Sequence, residues 1–335
     1  MKYFYIVLSV FLVSCGKPEK VATVLQGDAF GTTFTIQYFS SSEIDAIEKG
    51  VDSVIHAVNR SVSTYIPNSD ISKINQGDTT VVTDAIFKEV FRISETVYTN
   101  SKGYFDPTIG VLRNAYGFGD TKPLNHIDAN QLDSLMQYVG FNKVKILADG
   151  TVYKEHSEIY FDFNAVAKGY GIDCIGRFLE RNGITDYIIE LGGEILAKGK
   201  NLTKGKAWIV GVEAVVSPLE DRNYAVAIKL ENRAMASSGN YRKFRIDSLT
   251  GKKYVHTLNP LTGSAEQSDV TSATVIANSC GEADAYATAL MALGLERSKQ
   301  LLKVTNGLEA YLTYNDSSRI EQVFTTEGFK DLIIK

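Results

Sequence analysis

Asp284 and Thr288 are four residues apart in a segment with a helical pattern. Residues at this spacing lie on one face of a helix, about one turn apart, so their oxygen atoms can bind one ion. Oxygen ligands of this kind favour Mg²⁺ or Ca²⁺ over zinc. The alternative is that Asp284 is a first-turn acid favoured by the helix dipole and that Thr288 packs in the core. Spacing alone favours this alternative, so the pair needs support from elsewhere in the sequence.

Lys168 stands beside Gly169 and Gly171 at a predicted helix start. Backbone N–H groups at such a start, together with a positive charge, can bind an anion such as a phosphate. Without such a ligand, Lys168 is a solvent-exposed lysine, which is the more common situation.

Two further side chains with useful chemistry lie beside predicted turns. His256 comes just before the turn at Asn259-Pro260, so it is either a loop histidine near a site or the polar end of a strand. Tyr65 follows the first predicted helix and offers an aromatic plane to a flat ring, although a tyrosine there often caps a core instead.

The composition and motifs exclude several classes of protein. With 35 Lys and Arg against 39 Asp and Glu, the net charge is −4 and no dense basic stripe favours nucleic-acid binding. Three cysteines and four histidines without metal-ligand spacing disfavour structural zinc, haem and iron–sulfur clusters. Neither a Gly-x-Gly-x-x-Gly dinucleotide motif nor a P-loop is present. Any metal should therefore prefer oxygen ligands, and a phosphate would need another kind of binding loop.

The N-terminal residues have the features of an export signal. Lys2 precedes an apolar run over residues 3–13 that is too short to span a bilayer, and the run ends in Leu-Val-Ser before Cys15. This ending looks like the lipobox of bacterial lipoproteins. We therefore predict a signal peptide over residues 1–14, lipidation at Cys15, a tether over 15–24, one domain over 25–335, and attachment of the exported protein to a bacterial membrane.

The remaining pattern predicts an α+β fold with mixed sheets and packed helices. Helices are predicted behind Ser42-Glu43, from Phe87 to about Gly103, after Asp128, at about 164–182 and at about 283–302. A hairpin is predicted over residues 144–154, and further strands over 187–196, 207–213, 224–230, 271–277, 309–314 and 320–324. Cys174 and Cys280 are predicted to be buried free thiols, although an exported protein permits a disulfide.

Taken in order, several segments resemble the FAD:protein FMN transferase (ApbE) family, and the resemblance runs from about Gly27 almost to the C-terminus. The matching segments are residues 31–36 (GTTFTI), 63–65 (STY), 69–75 (SDISKIN), 103–110 (GYFDPTIG), 167–170 (AKGY), 192–193 (GG), 238–241 (SGNY), 256–263 (HTLNPLTG), and 283–285 (ADA) followed by Thr288. The family commonly has Asp where this chain has Asn259. Its members are typically bacterial lipoproteins or exported proteins, in agreement with Cys15.

The resemblance implies Mg²⁺-dependent transfer of the FMN moiety of FAD to a Thr or Ser hydroxyl of an exported acceptor protein, with release of AMP. Carried over to this chain, it implies that Asp284, Thr288 and the backbone carbonyl of Ala167 bind the metal. Tyr65 would stack on a ring of FAD. His256 is our candidate for activating or orienting the acceptor hydroxyl, and it is also predicted to contact FAD. The remaining residues implied to line the flavin and phosphate pocket are Asp106, Thr108, Lys168, Glu190 and Gly193.

Two alternatives use the same residues. An FAD pyrophosphate hydrolase would use water as the acceptor and produce FMN and AMP, and a non-catalytic lipoprotein would only bind or transport flavin. The presence of both Asp284 and Thr288 favours an enzyme.

Overall fold

The computed structural model describes residues 20–40, 44–214, 223–240, 244–247 and 249–334. The predicted signal peptide and Cys15 lie outside these residues. The strands are β1 (Val21–Ala29), β2 (Thr32–Ser40), β3 (Val144–Ile146), β4 (Val152–Lys154), β5 (Tyr187–Leu191), β6 (Glu194–Lys198), β7 (Trp208–Glu213), β8 (Tyr224–Leu230), β9 (Arg233–Gly239), β10 (Phe244–Ile246), β11 (Lys253–Val255), β12 (Val270–Ala277), β13 (Glu309–Asn315) and β14 (Glu321–Thr325).

The helices of the described residues alternate with these strands. They are α1 (Ile44–Val62), α2 (Asp70–Asn75), α3 (Ala85–Asn100), α4 (Gly110–Tyr116), α5 (Ala129–Met136), α6 (Ala167–Arg181), α7 (Cys280–Leu293), α8 (Leu295–Val304) and α9 (Glu327–Lys330), with a 3₁₀ turn at Phe141–Lys143. The predicted α+β class is therefore confirmed. Within the described residues, no helix is both long enough and apolar enough to cross a membrane.

An eight-stranded sheet organises the fold, in the order β1-β2-β5-β6-β9-β12-β13-β14. Its neighbouring strands are antiparallel. Helices α1, α3, α6 and α7 share apolar clusters with one face of the sheet, whereas the β7–β8 hairpin and α9 pack on the other. The helices on the first face position the candidate site.

Helix α7 is the central helix of this layer. Its alternate residues Ala283, Ala285, Ala287 and Ala289 are all fully buried. A helix that is apolar on all sides must be surrounded by protein, and small side chains allow its neighbours to approach closely. Helix α7 accordingly packs against α3, α6, β9 and β12, which holds it rigidly.

Glycines divide two predicted elements. The single strand predicted over 187–196 is wrong, because Gly192 and Gly193 adopt positive φ angles of 62° and 108° and form the turn between β5 and β6. The single helix predicted over 283–302 is also wrong, because Gly294 has a φ of 73° and separates α7 from α8. These left-handed conformations are readily adopted by glycine but not by other residues.

The sequence analysis did not identify the strands β1, β2, β9, β10 and β11. Strand β1 begins at Val21, so residues 21–24, which were predicted as tether, pair with residues 37–40 of β2. Strand β9 consists largely of small residues with weak strand propensity, and its central place in the sheet comes from pairing with β6 and β12. Cys174 and Cys280 are free thiols, as predicted, but only Cys280 is fully buried.

Candidate functional site

A cavity of about 790 Å³ lies at the N-terminal ends of α6 and α7. The predicted site residues that line it are Tyr65, Asp106, Ala167, Lys168, His256, Asp284 and Thr288. These residues come from segments far apart in the sequence. The structure therefore brings together most of the predicted site.

Thr108, Glu190 and Gly193 are not among the residues that line this cavity, so their predicted contact with the ligand stays a prediction. Thr108 is fully buried, and its hydroxyl donates a hydrogen bond of 2.6 Å to Asp106 Oδ1. Glu190 accepts a hydrogen bond of 2.9 Å from the backbone N–H of Gly193, which stabilises the β5–β6 turn. Gly192, rather than Gly193, lies at the cavity wall.

Helices α6 and α7 bring the predicted cation ligands together. Asp284 is 4% exposed, and its Oδ2 accepts a hydrogen bond of 3.1 Å from the backbone N–H of Gly169 in the first turn of α6. Thr288 lies one turn further along α7, where its hydroxyl is 3.2 Å from that of Ser238. The carboxylate, this hydroxyl pair and Ala167, the first residue of α6, thus share one end of the cavity.

Lys168 lies between two buried carboxylates. It forms an ion pair with Glu194, and both Glu194 and Asp284 raise the pKa of its ammonium group against the opposing effect of burial. Burial raises the pKa of Glu194 to about 7 and also raises the pKa of Asp284, while Lys168 opposes both increases. Two buried carboxylates thus lie beside one ammonium group, and a bound cation would favour the charged form of both.

Asp106 is another buried carboxylate at the cavity wall. It accepts hydrogen bonds from the backbone N–H of Thr108 at 2.8 Å and of Phe141 at 3.0 Å. Burial raises its pKa to about 6, although these hydrogen bonds favour the charged form. Asp106 is therefore held in a fixed orientation from which it can accept hydrogen bonds from a polar ligand.

The two aromatic candidates lie in the loops that border the cavity. The Tyr65 side chain is 64% exposed, so one face of its ring is open to stack on a planar ligand. The His256 ring lies edge-on to the Phe118 ring, with 6.5 Å between centroids. Asn259 Oδ1 accepts a hydrogen bond of 3.0 Å from the Leu261 N–H, so this side chain stabilises the turn after His256.

Several lining residues were not identified as candidates from the sequence, namely Glu194, Ser238, and the ion-paired Arg113 and Asp162. Glu194 directly follows the two glycines of the β5–β6 turn, and this position in the sequence could have identified it as a candidate. No sequence pattern could have identified Arg113 and Asp162, because they lie far apart in the sequence and only the tertiary structure brings α4 next to the segment before α6.

The cavity can bind a cation only with help from groups other than acidic side chains. Among the described residues, no cluster of three or more His, Cys, Asp or Glu could hold a metal. Mg²⁺ commonly uses one or two carboxylates and completes its coordination with substrate phosphates. The fold and the site therefore define an α+β protein with a ligand-sized cavity at the N-terminal ends of two helices, lined by buried carboxyl groups, a lysine and hydroxyl groups.

Comparison with known proteins identifies the family to which this α+β protein is similar. A sequence model of the ApbE family matches residues 30–312. The FAD:protein FMN transferase of Haemophilus influenzae is 32% identical, over 92% of this chain and 90% of that protein. The FAD:protein FMN transferase of Vibrio cholerae is 30% identical, over 96% of this chain and 93% of that protein.

The solved structures agree with the sequence comparisons. The flavin transferase ApbE from Vibrio cholerae superimposes with a TM-score of 0.82 at 28% identity, over 93% of this chain and 99% of that one. The apo form of the Pseudomonas stutzeri flavinyl transferase ApbE gives a TM-score of 0.81 at 25% identity, over 95% and 98% of the two chains. The chain belongs to the ApbE family, and the resemblance found in its sequence is confirmed.

Proposed function

We propose that this protein transfers the FMN moiety of FAD to a Thr or Ser hydroxyl of an exported acceptor protein and releases AMP. It is an enzyme of the FAD:protein FMN transferase class, the activity for which its relatives are named. The convergence of Asp284, Thr288 and Lys168 on one cavity carries the proposal. The volume of about 790 Å³ is within the usual range for ligand pockets.

The cation in this proposal is Mg²⁺. Asp284, Thr288 and the carbonyl of Ala167 supply oxygen atoms, and Asp284 and Glu194 are two buried carboxyl groups beside one lysine, Lys168. A carbonyl oxygen has two lone pairs, so the position of Ala167 inside α6 does not prevent it from binding a cation. When bound, Mg²⁺ neutralises the pyrophosphate charge that develops during phosphoryl transfer.

In this proposal, side chains that line the cavity bind FAD and orient the acceptor hydroxyl. Lys168 binds the phosphates, Tyr65 stacks on a ring, and Asp106 accepts a hydrogen bond from a polar group of FAD. His256 accepts the proton of the acceptor hydroxyl while the hydroxyl oxygen forms a bond to the phosphorus atom of the FMN phosphate. The bond between this phosphorus atom and the oxygen that bridges the two phosphates breaks, and AMP leaves with the bridging oxygen.

The proposed activity can be separated from its two alternatives by the products formed. The protein should be incubated with FAD, Mg²⁺ and a periplasmic extract, followed by in-gel flavin fluorescence and measurement of AMP and FMN. Fluorescent protein bands accompanied by AMP are expected. Free FMN and AMP without labelled protein would instead identify a hydrolase, and the absence of both products would identify a flavin-binding protein.

The membrane attachment of the protein is part of the proposal and depends on Cys15, which lies outside the described residues. Replacing Cys15 with alanine removes the thiol that would carry the lipid, so the variant should appear in the soluble fraction after cell lysis. Cys174→Ala is the matched control and should remain with the membranes. A Cys15→Ala protein that still sediments with membranes after a high-salt wash would contradict lipidation at this residue.

A further inference from the structure

The N-terminal ends of α6 and α7 cap each other through acidic side chains. Asp284 of α7 accepts the N–H of Gly169 in the first turn of α6. In return, Asp173 of α6 accepts the N–H groups of Cys280 and Gly281, the first two residues of α7, each at 2.8 Å. Each helix thus satisfies backbone donors that the other cannot satisfy itself.

The capping by Asp173 uses both oxygen atoms of the carboxylate. Oδ1 accepts from Cys280 and Oδ2 from Gly281, and the side chain is 6% exposed. Burial raises the pKa of Asp173 to about 6, so the carboxylate is mainly ionised at neutral pH. An asparagine at this position would direct an NH₂ group toward one of the two N–H donors. The geometry therefore requires a carboxylate.

Among the residues that the structure describes, no other side chain accepts from the N–H groups of Cys280 and Gly281. The N-cap residue of α6, Val166, makes no side-chain hydrogen bond to the helix. The N-cap residue of α7, Ser279, accepts from Glu282, which leaves the first two amides of α7 to Asp173. Gly169 permits the close approach, because a Cβ atom there would overlap the carbonyl of Cys280.

We propose that Asp173 is a positioning residue for the cation site, because it fixes the α7 ligands Asp284 and Thr288 against Ala167 on α6. This inference rests on the proposed cation binding at these three residues. Asp284 is four residues beyond Cys280, a separation of about 6 Å along a helix. A shift of the first turn of α7 is transmitted over this short distance to the Asp284 carboxylate, and the spacing of the ligands changes with it.

The test is direct binding of Mn²⁺, a spectroscopic substitute for Mg²⁺, measured by electron paramagnetic resonance on the full chain, once without FAD and once with FAD present. Asp173→Asn should weaken Mn²⁺ affinity about tenfold or more, the usual effect of disturbing groups that orient metal ligands. Asp173→Glu keeps the negative charge but displaces the carboxylate by one methylene, and it should also weaken binding. Loss of affinity in both variants assigns the effect to position rather than to charge.

Asp84→Asn is the matched control for loss of a helix cap. Asp84 caps α3 by accepting from the Phe87 N–H at 2.8 Å, and α3 contributes none of the proposed ligands. This control should be less heat-stable than the wild type but should bind Mn²⁺ with unchanged affinity. Should Asp173→Asn not fold, Asp173→Glu supplies the comparison.

The outcomes separate this inference from the proposed function. Wild-type affinity for Mn²⁺ in a folded Asp173 variant would overturn the positioning role and leave the cation site intact. Equal loss of affinity in Asp84→Asn would also overturn it, because general destabilisation would then explain the effect. A wild-type protein that binds no Mn²⁺, either alone or with FAD present, would overturn the cation site itself, and the positioning role with it.

Discussion

Replacing Asp284 with alanine is expected to abolish most FMN transfer while the protein remains folded. Asp284 supplies the only full negative charge in the proposed ligand set, so its loss should remove most of the cation binding. We expect a decrease of at least about 10³-fold in kcat/KM, or roughly 4 kcal/mol of transition-state stabilisation. Transfer rates measured by in-gel fluorescence over a range of Mg²⁺ concentrations, with thermal unfolding of the same samples, would check this expectation.

Three further variants define what the Asp284 result means. Asp284→Asn keeps an oxygen acceptor for the Gly169 N–H but removes the charge, and it should be nearly as inactive as the alanine variant. Thr288→Ala should be milder, because water can replace a neutral hydroxyl on the cation. Glu282→Gln changes a carboxylate of the same helix that does not line the cavity, and it should retain activity. A folded Asp284→Ala protein that transfers FMN at near wild-type rate in EDTA would refute the cation site.

Metal binding should also be visible in the stability of the protein. Burial raises the pKa of Asp284, which means that the metal-free fold pays a desolvation cost for this charge. Asp284→Asn removes that charge and should leave the metal-free melting temperature unchanged or raise it. Added Mg²⁺ should raise the melting temperature of the wild type only, because a ligand that binds the folded state stabilises it.

Replacing His256 with alanine is expected to lower kcat for transfer by about 10²–10⁴-fold, the usual contribution of a general base. The KM for FAD should change little, because the proposed role of His256 concerns the acceptor hydroxyl and not the flavin. Initial rates with a purified acceptor at several FAD concentrations would separate the two parameters.

His156→Ala is the matched control for this experiment. His156 lies beside Glu155, outside the cavity, and its removal should leave both kcat and KM unchanged. A His256→Ala enzyme whose KM for FAD rises while kcat stays constant would show that His256 binds flavin and does not activate the acceptor. A variant with wild-type values of both parameters would exclude His256 from the reaction.

Local sequence signals were sufficient for most elements. The apolar spacing of Val51 and Ile55 predicted α1, and the capping box at Asp128 that begins α5 is present in the structure. Such signals succeed because helix periodicity and caps depend on neighbouring residues. They failed at Gly294, where the apolar pattern continues across a residue that ends one helix and begins another.

The sequence by itself determined the family, the α+β class and the segments that carry Asp284, Thr288, Lys168 and His256. Only the tertiary structure decided that Glu194 reaches the cavity while Glu190, four residues earlier, supports the turn behind it. The turn at Gly192 and Gly193 sets which carboxylate faces the site. Asp173 caps α7 although it lies more than 100 residues away in the sequence, so local sequence patterns could not predict this contact either. Such contacts arise from packing between distant segments, and no local spacing rule encodes that packing.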